Sequence, residues 1–448
     1  MPFNKILVAN RGEIAIRIMR ACKEMGIRTV AVYSTADVNS MHVQYADEAK
    51  CIGPGDKSES YLSLKNIISA ADITNADAIH PGAGFLAEVP HLAEACRDHN
   101  ITFIGPSPEN IELMGDKVKA RQIMSKAGIK PIPGSKGVIR NEKEAFKIAY
   151  KVGYPVVIKS AAGGGGIGIR EAHNDASLVN SFRIVQGEAK SAFGRSDVYL
   201  EKLMEHARHV EFQVLADKSG NVIHLGEREC SIQRRKQKLI EETPCPTISP
   251  KTREEIGKLV IKAMKAIKYS SVGTVEFLMD ENGDFYFLEM NTRIQVEHTI
   301  TEAVTGLDLI KEQIRLAAGE KLGFRQGDVS FSGHAIECRI NAEDPDKDFM
   351  PSPGTVEVFH APGGPGIRFD SHIYTGYKIP PIYDSLIAKL IAHGRTREEA
   401  ISRMKRSLNE LIISGVKTTI PFHKRMMEDE RFLRGEVYVD YLLGGKAP

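Results

Sequence analysis

The segment Thr274 to His298, TVEFLMDENGDFYFLEMNTRIQVEH, carries glutamates at a spacing that would build a divalent-metal and phosphate site. Asn282-Gly283 lies between two apolar, β-prone runs, the strongest short-range signal for a hairpin. With those two residues as the turn, Glu276 falls opposite Glu289. Two carboxylates whose Cβ atoms sit about 4.5–5.5 Å apart destabilise a sheet unless something positive lies between them. A hard, oxygen-seeking cation such as Mg²⁺ is the natural occupant.

The alternation runs on past the hairpin. Glu289, Asn291, Arg293, Gln295 and Glu297 point one way, and Met290, Thr292, Ile294 and Val296 the other. Alternating charges usually mark a solvated strand face. This row instead mixes carboxylates, carboxamides and a guanidinium, which favours a binding site. Fully extended, Glu289 to Glu297 would span about 26 Å at roughly 3.3 Å per residue, too far for one reaction centre, so a bend is expected between the metal end and the anion end.

The elements that must hold these residues read as several units. A chain of 448 residues exceeds one core and suggests about two to four domains. Residues 5–114 alternate strand and helix: KILVAN, a helix over about 12–25, TVAVYS, a helix near 62–71, AIHPG, a helix near 90–98, and TFIGP. That pattern is a doubly wound α/β domain. Its first strand-to-helix turn, ANRGEIA, lacks G-x-G-x-x-G, so a dinucleotide cofactor is not expected. A helix over about 116–127 follows, and Pro131, Pro133 and Gly134 then mark a boundary. The last part opens with the alternating run HAIECRINAE and closes with helices near 397–412 and 420–429.

Two further motifs bear on phosphate. Gly163, Gly164, Gly165, Gly166 and Gly168 follow the run VVIK that ends at Lys159. Such glycines let backbone N–H groups wrap phosphate oxygens without interference from a Cβ, although a flexible surface loop has the same composition. QRRKQK at 233–238 reads as an anion site rather than a nucleic-acid patch, because the net charge is only +2.

The string EMNTRIQVEH, with ANRGEIA at 9–15, LMGDKVKAR at 113–121, GYPVVIKSAAGGGG at 153–166, ECSIQRRKQKLIEE at 229–242 and ECRINAEDP at 337–345, closely resembles the biotin carboxylases of the ATP-grasp superfamily, from Lys5 to about Leu443. The resemblance implies a mixed α/β and α+β protein in three parts. Residues 1–114 would form a doubly wound α/β domain, 115–330 an ATP-grasp domain with a mobile glycine-rich lid over about 131–203, and 331–448 a biotin carboxylase C-terminal domain. It also implies that MgATP phosphorylates bicarbonate, and that the carboxyl group passes, from carboxyphosphate or the CO₂ it releases, to N1′ of biotin.

By the same resemblance Lys117, Lys159 and the glycines Gly163, Gly164, Gly165 and Gly166 bind the ATP phosphates, Glu201, Lys202, Leu203 and Met204 meet the adenine, and His209 and Gln233 meet the nucleotide. Lys236 stands where the family usually has histidine and would contact a phosphate. Bicarbonate falls to Lys238, Arg293, Gln295, Val296 and Glu297, with Glu297 as the base. Arg293 would offer a planar fork to bicarbonate and carboxyphosphate, and Arg339 would stabilise negative charge on the biotin ureido oxygen. Glu276, Glu289 and Asn291 would hold Mg²⁺ or Mn²⁺ in two sites. Ala83, Val89 and Ile167 depart from the family's tyrosine, asparagine and arginine, which bears on substrate affinity rather than fold.

Partners follow from the resemblance too: a separate biotin carboxyl carrier protein, a carboxyltransferase and a second copy in a homodimer. Acetyl-CoA carboxylase, and with it fatty acid biosynthesis, is the expected setting; the biotin carboxylase chain of a two-subunit pyruvate carboxylase is the alternative. Ala263-Met264-Lys265-Ala266 imitates a biotinylated lysine but sits in an amphipathic helix pattern at about 251–268, and no carrier region follows the C-terminal part. A different ATP-grasp ligase that makes an acyl phosphate, and a degenerate structural protein, are competing readings. ECRINAEDP and RIQVEH weigh against the first, and retention of both lysines, both glutamates, Arg293, Glu297 and Arg339 against the second.

Composition adds exclusions. Hydrophobic content of 42% and charged content of 26% are ordinary for a soluble protein. No apolar run reaches the roughly 18 residues a bilayer span needs, and Arg11 and Glu13 interrupt any leader, so a cytoplasmic protein without membrane or nucleic-acid partners is expected. Six cysteines lack C-x-x-C or zinc spacing and are expected as buried thiols.

Overall fold

In the computed structural model, residues 3–161 and 168–442 are described. Near the N-terminus lies a five-stranded parallel sheet whose three central strands are apolar and largely buried, as strands covered by helices on both sides are. Its order is Glu48–Gly53, Arg28–Ser34, Lys5–Val8, Ala78–His80, Thr102–Phe103. The helices Gly12–Glu24, Leu64–Thr74 and Pro90–Asp98 stand near their expected places. Strand Glu48–Gly53 is an addition that the alternating pattern did not announce. It is a half-buried edge, so it carries Glu48 and Lys50 on one face and Cys51 on the other rather than an apolar row. Cys51 is accordingly exposed, while the other five cysteines are buried.

A second unit centres on strand Val156–Ser160, paired with Ile169–Ala172 and Val198–Lys202 and flanked by helices Glu142–Val152 and Asp175–Phe193. Ile139, Val156, Ile158, Phe182 and Leu200 give it its own small core. The glycines Gly163 to Gly166 and Ile167 lie outside the described residues.

The largest sheet has eight strands, in the order Phe285–Asn291, Ser271–Met279, Arg208–Ala216, Val222–Arg234, Gln237–Thr243, His334–Asn341, Leu386–Gly394, Ile367–Ser371. It runs straight across the boundary drawn at residue 330. Ile232, Leu239 and Ile240 share one apolar cluster with Ile336, Cys338 and Leu390, so the third part is built onto the second rather than packed separately.

The hairpin that carries Glu276 and Glu289 differs in detail from the expected one. Its loop is Asp280 to Asp284, where the Asp280 carboxylate accepts from the Asn282 and Asp284 amides at 3.0 and 2.9 Å. An Asp side chain that closes a turn in this way takes over from the two-residue Asn-Gly turn. The loop pairs Met279 with Phe285, one residue out of the expected register, and a bulge between Glu276 and Phe277 restores it. Glu276 therefore does oppose Glu289, through two irregularities that cancel.

QRRKQK forms the tip of another hairpin. Arg235 and Lys236 both have positive φ, 49° and 66°, the geometry of a two-residue type I′ turn in residues that rarely adopt it. Arg235 donates to Asp348 at 2.8 Å. In helix Pro250–Ala266, Ala263 and Met264 are buried and Lys265 is exposed, as an amphipathic helix requires. No helix among the described residues is long and apolar enough to cross a membrane.

Candidate active site

Neighbouring strands of the large sheet set charged residues side by side. Glu289, Glu276, Glu211 and Arg228 are successive register partners across four strands, and residues directly opposite on neighbouring strands share a face. Three carboxylates in a row need cations, and the protein supplies them. Arg228 donates to Glu211 at 2.6 Å. Lys238 donates to Glu211 at 2.5 Å, Glu297 at 2.6 Å and Glu276 at 3.2 Å, which uses all three ammonium hydrogens. Burial opposes the Lys238 charge, yet these carboxylates hold its pKa well above the ordinary lysine value.

The bend expected after the hairpin is present. The strand stops at Asn291, and residues 292–297 fold back over Glu276. Glu276 accepts from Gln295 at 2.6 Å and Asn291 at 2.7 Å, and its other oxygen lies 2.9 Å from His209 Nε2. Glu297 stands just before helix His298–Thr305 and accepts from Arg339 at 3.0 Å. Burial pushes the Glu276 and Glu297 carboxyls up, but Lys238, with His209 for one and Arg339 for the other, brings both well below the usual carboxylate range. Both are carboxylates at neutral pH, and Glu297 is in the form a base requires.

The opposite side of the site faces the small sheet. Lys117 lies 3.1 Å from Glu289, Lys159 lies 2.6 Å from Glu201, and Arg121 lies 3.2 Å from the same Glu201. Lys202 turns its ammonium to the Gly153 and Tyr154 carbonyls, and Leu203 donates its N–H to the Pro155 carbonyl, so both groups are already engaged. Met204 follows, half-buried. Gln233 Nε2 lies 3.2 Å from His209 Nδ1. Lys236 is exposed at the hairpin tip, and its pKa is pushed down to about 8 by partial dehydration and by the Lys159 and Lys117 charges.

A divalent ion suits part of the expected ligand set. Glu276 and Glu289 offer hard carboxylate oxygens from facing strands, and His209, Glu211 and Glu276 bring possible ligand atoms within 4.8 Å of one another. Asn291 fits less well. Its amide nitrogen faces Glu276, and its oxygen accepts from Arg293 at 2.9 Å, so that oxygen is already engaged.

Several residues meet the site although no role was expected of them, Glu241 and Glu337 from inside ECSIQRRKQKLIEE and ECRINAEDP. Glu211 shares an alternating face with His209 in RHVEFQV, a signal that was legible. Glu241 accepts from Arg339 at 2.6 Å and is the register partner of Glu337. Burial pushes these two carboxyls up, to about 7 and about 8. Glu88, from the N-terminal unit, accepts from Arg293 at 2.8 Å and from the Thr292 amide at 3.0 Å. It lies inside HPGAGFLAEV, the segment that holds Ala83 and Val89.

A broad sheet that faces a small lid-like unit across paired lysines and glutamates is the architecture of an ATP-grasp ligase. Family profiles agree: "Biotin carboxylase, N-terminal domain" matches residues 2–111, "Carbamoyl-phosphate synthase L chain, ATP binding domain" matches 116–325, and "Biotin carboxylase C-terminal domain" matches 337–443. The chain is 58% identical over 442 residues to the biotin carboxylase of Nostoc sp., with 99% of each chain covered. It is 57% identical over 440 residues to a pyruvate carboxylase subunit of Methanothermobacter thermautotrophicus, covering 98% of this chain and 89% of that protein. Among solved structures, the biotin carboxylase domain dimer of Hydrogenobacter thermophilus 2-oxoglutarate carboxylase, in complex with MgADP, ADP and bicarbonate, superposes with a TM-score of 0.96 at 53% identity, covering 98% of this chain and 97% of that one. The chain belongs to the biotin carboxylase family, and it is an ATP-dependent ligase.

Proposed function

We propose that this chain carboxylates biotin held on a separate biotin carboxyl carrier protein, with bicarbonate and ATP as co-substrates and carboxyphosphate as the intermediate. The observation that carries the reading is the Lys238–Glu297–Arg339 arrangement: one buried carboxylate bridged by two cations, at 2.6 and 3.0 Å. Bicarbonate entering between them would take over cation contacts that now restrain Glu297. The carboxylate then becomes a stronger base, accepts the bicarbonate proton, and leaves a nucleophilic oxygen for the γ-phosphorus. Arg293, fixed by Glu88 and Asn291, is oriented to hold the carboxyphosphate.

Lys117 and Lys159 would exchange Glu289 and Glu201 for phosphate oxygens, and Lys236 and the glycines 163–166 are proposed as further phosphate ligands. Bound Mg²⁺, or Mn²⁺ in its place, would neutralise phosphate charge at Glu276 and Glu289. Gln295, Val296, His209 and Gln233 complete the bicarbonate and nucleotide contacts, and Glu201 to Met204 the adenine contact. Arg339, once Glu297 is protonated, is available to the ureido oxygen of biotin while the C–O bond of carboxyphosphate breaks, the released phosphate takes the N1′ proton, and N1′ bonds the carboxyl carbon.

The proposed setting is a cytoplasmic homodimer that serves a carboxyltransferase acting on acetyl-CoA, and so fatty acid biosynthesis. The Methanothermobacter relative favours pyruvate as the second candidate acceptor. The test is ATP hydrolysis with Mg²⁺ and free biotin, with and without bicarbonate, followed by acceptor assays with acetyl-CoA and pyruvate in the presence of the native carrier and transferase. Turnover that depends on bicarbonate supports the reading; equal turnover in bicarbonate-depleted buffer contradicts it.

A further inference from the structure

Lys389 is the fully buried lysine of strand Leu386–Gly394, at 0% exposure, and no step of the proposed reaction uses it. Its ammonium lies 3.1 Å from Glu13, in helix Gly12–Glu24 of the N-terminal unit. It also donates a hydrogen bond of 2.8 Å to the Val296 carbonyl. In the sheet it stands between Arg339 on one side and Asp370 on the other. A buried ion pair is a poor stability device, since a well-packed apolar pair of the same volume usually does as well. The bond to Val296 suggests a different use.

Val296 immediately precedes Glu297. A peptide plane is rigid, so a fixed carbonyl fixes the N–H and Cα on its far side. Holding the Val296 carbonyl therefore sets where Glu297 begins. The preceding plane is held as well: His298 Nδ1 lies 2.7 Å from the Gln295 carbonyl, which orients the Val296 N–H. Lys238 and Arg339 restrain the carboxylate end of Glu297, while Lys389 restrains its backbone end.

We infer that Lys389 is a positioning residue for Glu297: through the Val296 carbonyl it holds the proposed base at the distance and angle that proton transfer from bicarbonate requires, and Glu13 keeps its ammonium in place. The inference rests on the function proposed above. A misplacement of about 1 Å can cost on the order of 100-fold in rate, while nucleotide binding, which uses other residues, should be untouched.

The test is K389M, assayed for bicarbonate-dependent ATP turnover, nucleotide affinity and thermal melting, alone and in an E297Q background. The expected result is a fall in kcat of about 10- to 100-fold with nucleotide Kd unchanged, partial recovery in K389R, and a further loss below about threefold when Glu297 is already Gln, because the two residues act as one unit. Should K389M fail to fold, E13Q/K389M removes both buried charges and takes its place. Full kcat in a folded variant, or an equal loss in the E297Q background, overturns the inference. Failure of both variants to fold makes Lys389 a stability residue and overturns it too. Wild-type turnover that ignores bicarbonate would instead remove the functional reading itself.

Discussion

The two ends of the site hold their charges differently. Around Glu297, Lys238 serves three carboxylates and Arg339 two, all buried and within bonding distance. Toward the small sheet, Lys117 and Lys159 each hold one carboxylate, and Lys236 has no ion pair among the described residues. A buried cluster in which every charge is matched has little freedom to rearrange, so it arrives at the reaction with its geometry set. Singly paired lysines can trade a carboxylate for a phosphate oxygen at small net cost. The first end suits proton transfer, which depends on tenths of an ångström. The second suits capture and release of a nucleotide.

The largest expected effect falls at the matched end. E297Q should lower kcat by about 10²- to 10⁴-fold, the usual worth of a general base, and leave nucleotide Kd unchanged. Steady-state kinetics beside a binding titration measure both, and full turnover would mean that Glu297 is not the base.

Next comes E276K. Opposite Glu289 alone a lysine would relieve repulsion, but Glu276 also bonds Lys238, Asn291 and Gln295 and faces His209. A lysine there should abolish turnover and cost roughly 3–5 kcal/mol of stability, as breaking a buried pair does. An unchanged melting temperature would remove Glu276 from the structural network.

A smaller effect distinguishes the two ends by pH. Burial raises the Glu337 carboxyl from 4.5 to about 8. A carboxyl with a raised folded-state pKa stabilises the fold while protonated, so its contribution is complete below about 4.5 and is lost as pH climbs through about 8. E337Q keeps a neutral side chain at every pH, and its melting temperature should therefore gain on the wild type as pH rises from about 5 to about 9. A constant difference across that range would contradict the assignment. Smallest is K236H at the exposed end, expected to change nucleotide Kd by about threefold with kcat kept, since one exposed cation contributes little; a large fall in kcat would move Lys236 into the reaction centre.

Legibility in the sequence was greatest where the chemistry is local. EMNTRIQVEH, read by alternation, pointed to the row from Glu289 to Glu297 and the need for a bend, because side-chain direction along a strand has a fixed period. The Glu276–Glu289 pairing was reached by assuming a two-residue turn, and it survives only because the bulge offsets the longer loop. Glu337 shares an alternating face with Arg339, as Glu211 does with His209, and was legible in the same way; Glu241, Lys389 and Glu13 were missed because they meet the site through sheet order and interdomain packing. Periodicity within one segment carries no trace of such contacts. Edge strand Glu48–Gly53 was missed for the opposite reason: half-buried, it needs no apolar row.

Whether the Glu297 end performs carboxyl transfer is tested most directly by following the carbon. Isotopically labelled bicarbonate is supplied with MgATP and biotin, and label on biotin is measured for the wild type and for E297Q. Labelled carboxybiotin is expected from the wild type, dependent on ATP, and almost none from E297Q despite normal nucleotide binding. ATP turnover by the wild type with no label on biotin, or equal labelling by E297Q, would contradict the proposed role of Glu297.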